Sequence, residues 1–163
     1  MSVTVKTTLP LSSIGNGRYQ YKNGSFWPLA NLGFNDPNAA SLYDVRDTKS
    51  GLFTSEFQSY FKYNGDEELT FEGDDDVWVF FNGHLALEFA GIHGTWGQTI
   101  KLTKAKAEQY HMYPGGIYSL QMFHAERCQG GSGYTLTLSG FINMGTSTCD
   151  TRCGDGIVRG NEE

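Results

Sequence analysis

Apolar and polar side chains alternate along several short stretches of the chain, which is typical of half-buried β-strands. Between residues 54 and 63 this alternation places Phe57, Phe61 and Tyr63 on one face. Residues 77–81, with the sequence VWVFF, are apolar on both faces and are predicted to form an inner strand. Further strands are predicted at residues 69–72, 85–89, 98–102, 117–124 and 134–142.

The segments between these strands carry turn and cap signals. Asn82-Gly83 predicts a type I′ hairpin, and residues 103–110 form the predicted helix, with Thr103 as its N-cap. The first fifty residues are less regular. They are interpreted as a Gly/Asn-rich loop at 15–24, an apolar plug (FWPL) at 26–29 and a surface loop at 31–50. The sequence therefore predicts an all-β fold, an antiparallel β-sandwich with one short helix and long N-terminal loops.

Length and charge narrow the classes of function. The chain has 163 residues, enough for a domain with a core, and a formal net charge of −6. Its 12 Lys and Arg residues form no basic patch, which argues against nucleic-acid binding. It has no apolar stretch of about 18 residues, so we expect no membrane insertion. Residues 1–10 lack the apolar core of a signal peptide, so we expect any export signal to be missing from this chain.

Three consecutive aspartates, Asp74, Asp75 and Asp76, precede the most apolar predicted strand. Like charges side by side repel one another, and the flanking sequence supplies no Lys or Arg to offset them. Such a cluster either binds a cation or forms a solvated turn between two strands. The residues alone leave both interpretations open.

Four separated motifs between residues 16 and 142 resemble, in order, those of the fibro-slime domain family. The motifs are FWPL at 26–29, GDDDVWVFFNGHLAL at 73–87, GIHG at 91–94 and FHAER at 123–127. This family is similar to the wider group of lectin domains named after the anthrax protective antigen, which includes yeast flocculins and epithelial adhesins. The resemblance implies a lectin-like β-sandwich with a calcium site at one end.

The same resemblance assigns residues to that site. In the lectin group, two consecutive acidic residues joined by a cis peptide bond hold one Ca²⁺, which also contacts sugar hydroxyls. Spacing before the apolar strand assigns the pair to Asp74 and Asp75, with Asp76 as a third position; Asp75 and Asp76 are the alternative pair. A cis bond would turn adjacent side chains to the same side, at a cost of roughly 3 kcal/mol. Ca²⁺ suits such a site because it takes about 6–8 oxygen ligands.

A second loop, at residues 127–133, is implied to add ligands to this calcium site. Gln129 is the expected side-chain ligand and Ser132 the second choice, while the carbonyl groups of Gly130 and Gly131 are further candidates. Many relatives carry Asn where this chain has Gly133. The alternative interpretation of this loop is an ordinary Gly-rich hairpin.

Residues 91–96 are the other candidate for ligand binding. Glycines bracket His93 and would let the backbone approach a ligand closely. Trp96 is predicted to stack on a sugar ring. The alternative is that Trp96 is a partly buried residue at the rim.

Two polar residues near the end of the strand at 117–124 are candidates for supporting the site. If Phe123 and Ala125 face the core, His124 and Glu126 share the opposite face. The functional interpretation is a polar network under the site or a further calcium contact. An ion pair between Glu126 and the neighbouring arginine is the alternative.

These residues predict a calcium-dependent carbohydrate-binding module of adhesin type, with Ca²⁺ as cofactor and an extracellular or cell-surface glycan as partner. The alternative is a calcium-stabilised structural module that contacts another protein and binds no glycan. An enzyme is not expected. Glu72, Glu88 and Glu126 are available to a glycosidase, but no cleft is evident, and Cys128 and His124 do not obviously converge as a nucleophilic pair.

The chain divides into a sandwich domain at residues 1–145 and a polar, Gly-rich tail at 146–163. The tail resembles the truncated start of a cysteine-rich repeat that begins CGDG and occurs in exported proteins. We therefore expect an extracellular or cell-surface location and a disulfide, preferably between Cys128 and Cys149, which leaves Cys153 for the missing part of the repeat. Zinc at Cys149 and Cys153 is disfavoured because it needs two further ligands.

Overall fold

The computed structural model describes residues 4–32, 53–127 and 131–141, which form two antiparallel β-sheets and one short helix. In chain order the elements are β1 (Ser12–Gly15), β2 (Arg18–Asn23), β3 (Phe53–Lys62), β4 (Glu68–Gly73), β5 (Asp76–Phe81), β6 (His84–Phe89), β7 (Trp96–Lys101), α1 (Lys104–Gln109), β8 (Ile117–Glu126) and β9 (Tyr134–Ser139). One sheet has the spatial order β1-β2-β9-β4-β7 and the other β3-β8-β5-β6. The predicted all-β sandwich is confirmed.

Alternating apolar residues from both sheets form the core. In β3, Phe53 and Phe61 are buried and Phe57 is half-buried, as the alternation predicts. The rings of Phe71 in β4 and Phe89 in β6 lie 5.9 Å apart and join the two sheets. Strand β5 lies between β8 and β6, which confirms the inner strand predicted from VWVFF. Burying one such aromatic side chain stabilises the fold by about 1.5–3 kcal/mol.

Two Asn-Gly turns connect hairpins. Asn82 and Gly83 have positive φ angles of 49° and 75°, as a type I′ turn requires, which confirms the predicted hairpin. Asn16 and Gly17, at 54° and 69°, make a corresponding turn between β1 and β2. The interpretation of residues 15–24 as a loop was therefore wrong. Strand β2 is ordered by pairing with β9, which follows it by more than a hundred residues.

The helix and the apolar plug agree with prediction. Helix α1 begins after Thr103, whose side chain accepts a hydrogen bond from the backbone N–H of Lys106. Phe26 of the plug is buried, with its ring 4.6 Å from that of Tyr134. No helix in the described ranges is long and apolar enough to cross a membrane.

Several predictions fall on residues outside the described ranges. They include most of the surface loop at 31–50, the tail at 146–163, the calcium ligands Gln129 and Gly130, and all three cysteines with their disulfide. These remain predictions.

Candidate functional site

The aspartate triplet lies where three loops meet at one end of the sandwich. Strand pairing brings them together: Gly73, at the end of β4, pairs with the first residues of both β7 and β9. In the facing sheet, Asp76 at the start of β5 pairs with Ala125 near the end of β8, and β6 ends beside them. The β4–β5, β6–β7 and β8–β9 connections therefore share this end, which we call the aspartate end.

Gly73 sets the first aspartate close to the β8–β9 loop. A Cβ atom at Gly73 would lie 2.6 Å from the carbonyl oxygen of Gly133 and 2.7 Å from the ring of Phe71. Such distances are too short for any side chain, so glycine is required for this close approach. The result is that Asp74 follows directly beside Gly133.

Asp74 and Asp75 hold the surrounding loops through backbone amides. Oδ2 of Asp74 accepts a hydrogen bond from the N–H of Gly133 at 2.9 Å. Oδ1 of Asp75 accepts from the N–H of His93 at 3.2 Å, and its Oδ2 accepts from the N–H of Arg127 at 2.8 Å. Asp75 is only 1% exposed. The two carboxyl groups thus hold the β6–β7 loop and the β8–β9 loop at the aspartate end.

Asp76 is engaged by a cation from a distant part of the sequence. The guanidinium of Arg127 contacts both of its carboxyl oxygens, with Nε 2.5 Å from Oδ2 and Nη2 2.9 Å from Oδ1. Oδ1 also accepts from the N–H of Gly91 at 2.8 Å. This bidentate arrangement is the strong form of an arginine–carboxylate contact. The positive charge of Arg127 offsets the repulsion among the three aspartates, for which the flanking sequence supplies no Lys or Arg.

The predicted cis peptide bond between Asp74 and Asp75 is wrong, because the described residues contain no cis peptide bond. With a trans bond, neighbouring side chains point in different directions. The two carboxyl groups accordingly bind separate partners, Asp74 on the β8–β9 loop and Asp75 on the N–H groups of His93 and Arg127.

Asp74 and Ser132 each place a side-chain oxygen inside the aspartate end that has no hydrogen-bond partner among the described residues. Oδ1 of Asp74 and Oγ of Ser132 are buried, and neither takes part in a hydrogen bond with the described residues. No three carboxyl, imidazole or thiol groups in the described part of the chain are arranged to share one ion. The oxygens without partners are thus one carboxylate oxygen and one hydroxyl, both of types that Ca²⁺ accepts as ligands.

His124 supports the first aspartate from below. Its Nε2 donates to the backbone carbonyl of Asp74 at 2.5 Å, and its Nδ1 lies 3.3 Å from Oγ of Ser55. Burial lowers the pKa of His124, against the opposing effects of the Asp74 carbonyl and the nearby carboxylates. A neutral ring with its proton on Nε2 satisfies both contacts.

The orientation of β8 at this end differs from the one considered from the sequence. His124 and Glu126 do share a face, but it is the buried one, and each is 1% exposed. Phe123 is 37% exposed on the outer face, with Ala125 half-buried beside it. The inner face can accept the His124 ring because both ring nitrogens have polar partners, the carbonyl of Asp74 and the hydroxyl of Ser55. Four aromatic rings surround it at 5.4–6.3 Å, those of Phe26, Phe53, Phe71 and Tyr134.

The β6–β7 loop holds the two other predicted ligand-binding residues. His93 is half-buried, and its Nδ1 donates to the carbonyl of Gly94 at 2.8 Å. Trp96 is 49% exposed, and its ring packs 5.5 Å from Phe89 and 5.6 Å from His93. One part of the indole is thus held in place while the rest faces solvent. Gly131 is exposed beside the buried Ser132.

A cleft of about 350 Å³, which was not predicted from the sequence, adjoins the aspartate end on strands β4 and β7. Its lining residues are Thr70, Glu72, Thr95, Trp96, Gly97, Gln98 and Thr99. The sequence indicates only that Thr70 and Glu72 of β4 face outward. It does not reveal the register between β4 and β7, which brings the other lining residues beside them.

The carboxylates considered for a glycosidase lie on different surfaces. Glu72 is on the outer face of the five-stranded sheet. Glu88 is on the outer face of the other sheet, where it accepts a hydrogen bond from the indole of Trp78. Glu126 is inside the sandwich. A pair of carboxylates must flank the scissile bond at about 5–10 Å from each other, which Glu72 and Glu88 on opposite faces do not satisfy.

No protein-family model matches the chain. The sequence is similar to psi proteins of Dictyostelium discoideum: 30% identical to psiD over 157 residues, which are 94% of this chain and 29% of psiD. It is 37% identical to psiI over 126 residues, which are 77% of this chain and 16% of psiI. The chain thus spans less than a third of the length of these relatives.

Among solved structures, the PA14 sugar-binding domain of an RTX adhesin is similar, with a TM-score of 0.40, 13% identity, and coverage of 75% of this chain and 70% of that domain. The PA14 domain of the MpAFP antifreeze protein has a TM-score of 0.38 and 16% identity, covering 53% of this chain and 42% of that one. Likeness at this level does not extend to function.

Proposed function

We propose that the chain is a calcium-dependent glycan-binding module of adhesin type, in a protein that acts outside the cell or at its surface. The observation that carries the proposal is the buried Oδ1 of Asp74, which accepts no hydrogen bond from the described residues. Leaving a buried polar atom without a partner costs about 1–3 kcal/mol. A bound cation at the aspartate end would supply the missing partner. The fibro-slime resemblance of the sequence supports the same assignment.

Asp74 would be the principal side-chain ligand for Ca²⁺, with the hydroxyl of Ser132 and the carbonyl of Gly131 from the neighbouring loop. Gln129 and Gly130 are proposed as further ligands. Asp75 and Asp76 contribute negative charge and hold the loops, since their oxygens already accept hydrogen bonds. When bound, Ca²⁺ supplies open coordination positions that vicinal sugar hydroxyls can fill.

The β6–β7 loop would complete the sugar site. The backbone N–H of His93 donates to Asp75, so this loop is held beside the aspartates before any ligand binds. Trp96 offers a half-exposed indole, and the apolar face of a pyranose packs on such a ring. These residues bind and orient a glycan, and the proposal requires no catalytic step.

A second function is favoured by the way the carboxyl groups anchor the loops. Asp74 and Asp75 bind the N–H groups of Gly133, His93 and Arg127, so a cation here would also stiffen the whole end of the sandwich. In this alternative, calcium is a structural ion and the partner is another protein.

Replacing one atom tests the calcium site. In Asp74→Asn the side-chain oxygen can still accept from the N–H of Gly133, but an amide nitrogen replaces the partnerless oxygen. We expect the wild-type protein to gain about 2.7 kcal/mol of stability when free Ca²⁺ is hundredfold above Kd. Asp74→Asn should show no such calcium-dependent gain in stability. Melting curves with CaCl₂ and with EGTA measure the difference, and Glu56→Gln, an exposed carboxylate on β3, is the control. An equal calcium shift in Asp74→Asn would refute the site.

A glycan array separates the two functions. Specific binding that appears with CaCl₂ and disappears with EGTA supports the glycan-binding module. A calcium-dependent rise in melting temperature without any glycan signal supports the structural module instead.

A further inference from the structure

The cleft on β4 and β7 is lined mainly by polar side chains and one indole. Three hydroxyl groups line it, from Thr70, Thr95 and Thr99, together with an amide, a carboxyl group and an indole. The hydroxyls of Thr70 and Thr99 lie 2.7 Å apart across the two strands. Its volume of about 350 Å³ falls at the lower end of the range of small-molecule sites, roughly 300–1,000 Å³.

Gly97 allows the side chain of Glu72 to lie against strand β7 inside the cleft. It pairs with Glu72 across the strands, and a Cβ atom at Gly97 would lie 2.6 Å from Cγ of Glu72. The side chain of Glu72 therefore lies over a position that only glycine leaves open. Glu72 is exposed, so its carboxyl oxygens are accessible to hydroxyl donors.

The chemistry of the lining selects the ligand class. Hydroxyl and amide groups both donate and accept hydrogen bonds, and a carboxylate accepts two from adjacent hydroxyls. No lining residue is basic, and Glu72 would repel an anion. A neutral sugar residue therefore fits the cleft, whereas a uronic acid, a sialic acid or a sulfated sugar does not.

The cleft lies next to the aspartate end. Thr95 lines the cleft, and a Cβ atom at Gly133 would lie 3.6 Å from Oγ1 of Thr95 and 3.4 Å from Oδ2 of Asp74. Both oxygens thus border the same small gap, which a side chain at Gly133 would occupy. The first aspartate and the edge of the cleft are therefore separated by no more than the space of one small side chain.

We infer that this protein binds a neutral oligosaccharide, with one sugar at the aspartate end and the next sugar in the β4–β7 cleft. The inference rests on the proposed glycan-binding function and extends it from one sugar to two. A disaccharide is then the smallest ligand that uses both subsites. Losing one hydrogen bond in the cleft should weaken its binding by about threefold to tenfold.

Calorimetric titration of the whole chain tests the second subsite. The probes are the methyl glycosides of glucose, galactose and mannose with cellobiose, lactose and mannobiose, plus N-acetylglucosamine with chitobiose, each in CaCl₂ and in EGTA. We expect one disaccharide to bind in CaCl₂ at least about tenfold more tightly than its monosaccharide. Thr99→Val and Glu72→Gln should reduce this advantage while leaving the monosaccharide affinity unchanged. Thr54→Val, on the outer face of the other sheet, is the matched control.

The outcomes distinguish this inference from the function on which it rests. Equal affinity for a disaccharide and its monosaccharide would overturn the second subsite alone. An advantage that survives both Thr99→Val and Glu72→Gln would overturn it as well. If no sugar binds in calcium, the proposed function fails and the inference fails with it.

Discussion

At the scale of single residues, the aspartate end depends on an arginine that the local sequence does not reveal. The triplet and its place before an apolar strand can be read directly, and so can the candidate loops. The contact between Arg127 and Asp76 joins positions 51 residues apart, and it arises only because β5 pairs with β8. Short-range patterns carry no information about such a partner. The cis peptide bond was expected from the resemblance to the lectin group, and the trans bond found here instead directs Asp74 and Asp75 to separate partners.

Removing the charge of Arg127 should lower the free energy of unfolding. Arg127→Met would leave the carboxyl group of Asp76, which is almost fully buried, without its cation. The Arg127 side chain is itself 48% exposed, so we expect a loss of about 1–2 kcal/mol rather than the full cost of breaking a buried pair. Urea unfolding at pH 7 measures the loss.

Lys104→Met is the control, because Lys104 pairs with Glu108 at 4.0 Å on the surface of α1, with both side chains well exposed. It should change the free energy of unfolding by less than about 0.5 kcal/mol. Equal effects of the two substitutions would show that the Arg127–Asp76 contact adds nothing beyond a surface ion pair.

At the scale of elements, the period-two pattern predicted most of the strands because one face of each is buried in the core. It failed for the β1–β2 hairpin. Those strands are largely exposed, and the burial pattern of β1 shows no buried residue at all. A strand at the sheet edge that is ordered by main-chain pairing leaves little trace in hydrophobicity. The signal that remained was the Asn16-Gly17 turn, which matches the correctly predicted Asn82-Gly83 turn.

The β5–β6 hairpin offers a test at this scale. Gly83 has a φ of +75°, and no atom lies within 4 Å of the position that a Cβ would take, so Gly83→Ala would be strained by backbone conformation alone. We expect it to destabilise the protein by about 1 kcal/mol. Gly24→Ala is the control, because Gly24 also faces open space but has no positive φ. Urea unfolding of both variants measures the difference, and equal stability would contradict the conformational explanation.

At the scale of the whole molecule, buried tyrosines link stability to alkaline pH. Burial, followed by the charges of Glu67, Glu108 and Asp66, raises the pKa of Tyr63 above its usual value of 10.0. Burial also raises the pKa of Tyr110 and Tyr134. Above pH 10 the unfolded chain releases protons that the folded chain keeps. The stability that these tyrosines contribute is therefore fully present below pH 10. It is lost as the pH rises through their pKa values in the folded state.

Tyr63→Phe should make this decline less steep. The variant also loses the hydrogen bond from Tyr63 to the carbonyl of Leu102, so its stability at pH 8 should be lower by about 1 kcal/mol. The informative quantity is accordingly the slope of the unfolding free energy between about pH 9.5 and 11, from urea titrations of both proteins. A slope identical to that of the wild type would mean that Tyr63 does not contribute.

The loops at the aspartate end are attached through the main-chain N–H groups of Gly91, His93, Arg127 and Gly133. A main-chain amide is the same whichever side chain follows it, so these attachments do not specify the exposed residues at positions 92, 95 and 131. The hydrogen bonds that hold these loops therefore do not depend on which side chains the loops expose. Substitutions at these three positions would therefore change the exposed surface of the loops while leaving their supporting hydrogen bonds in place.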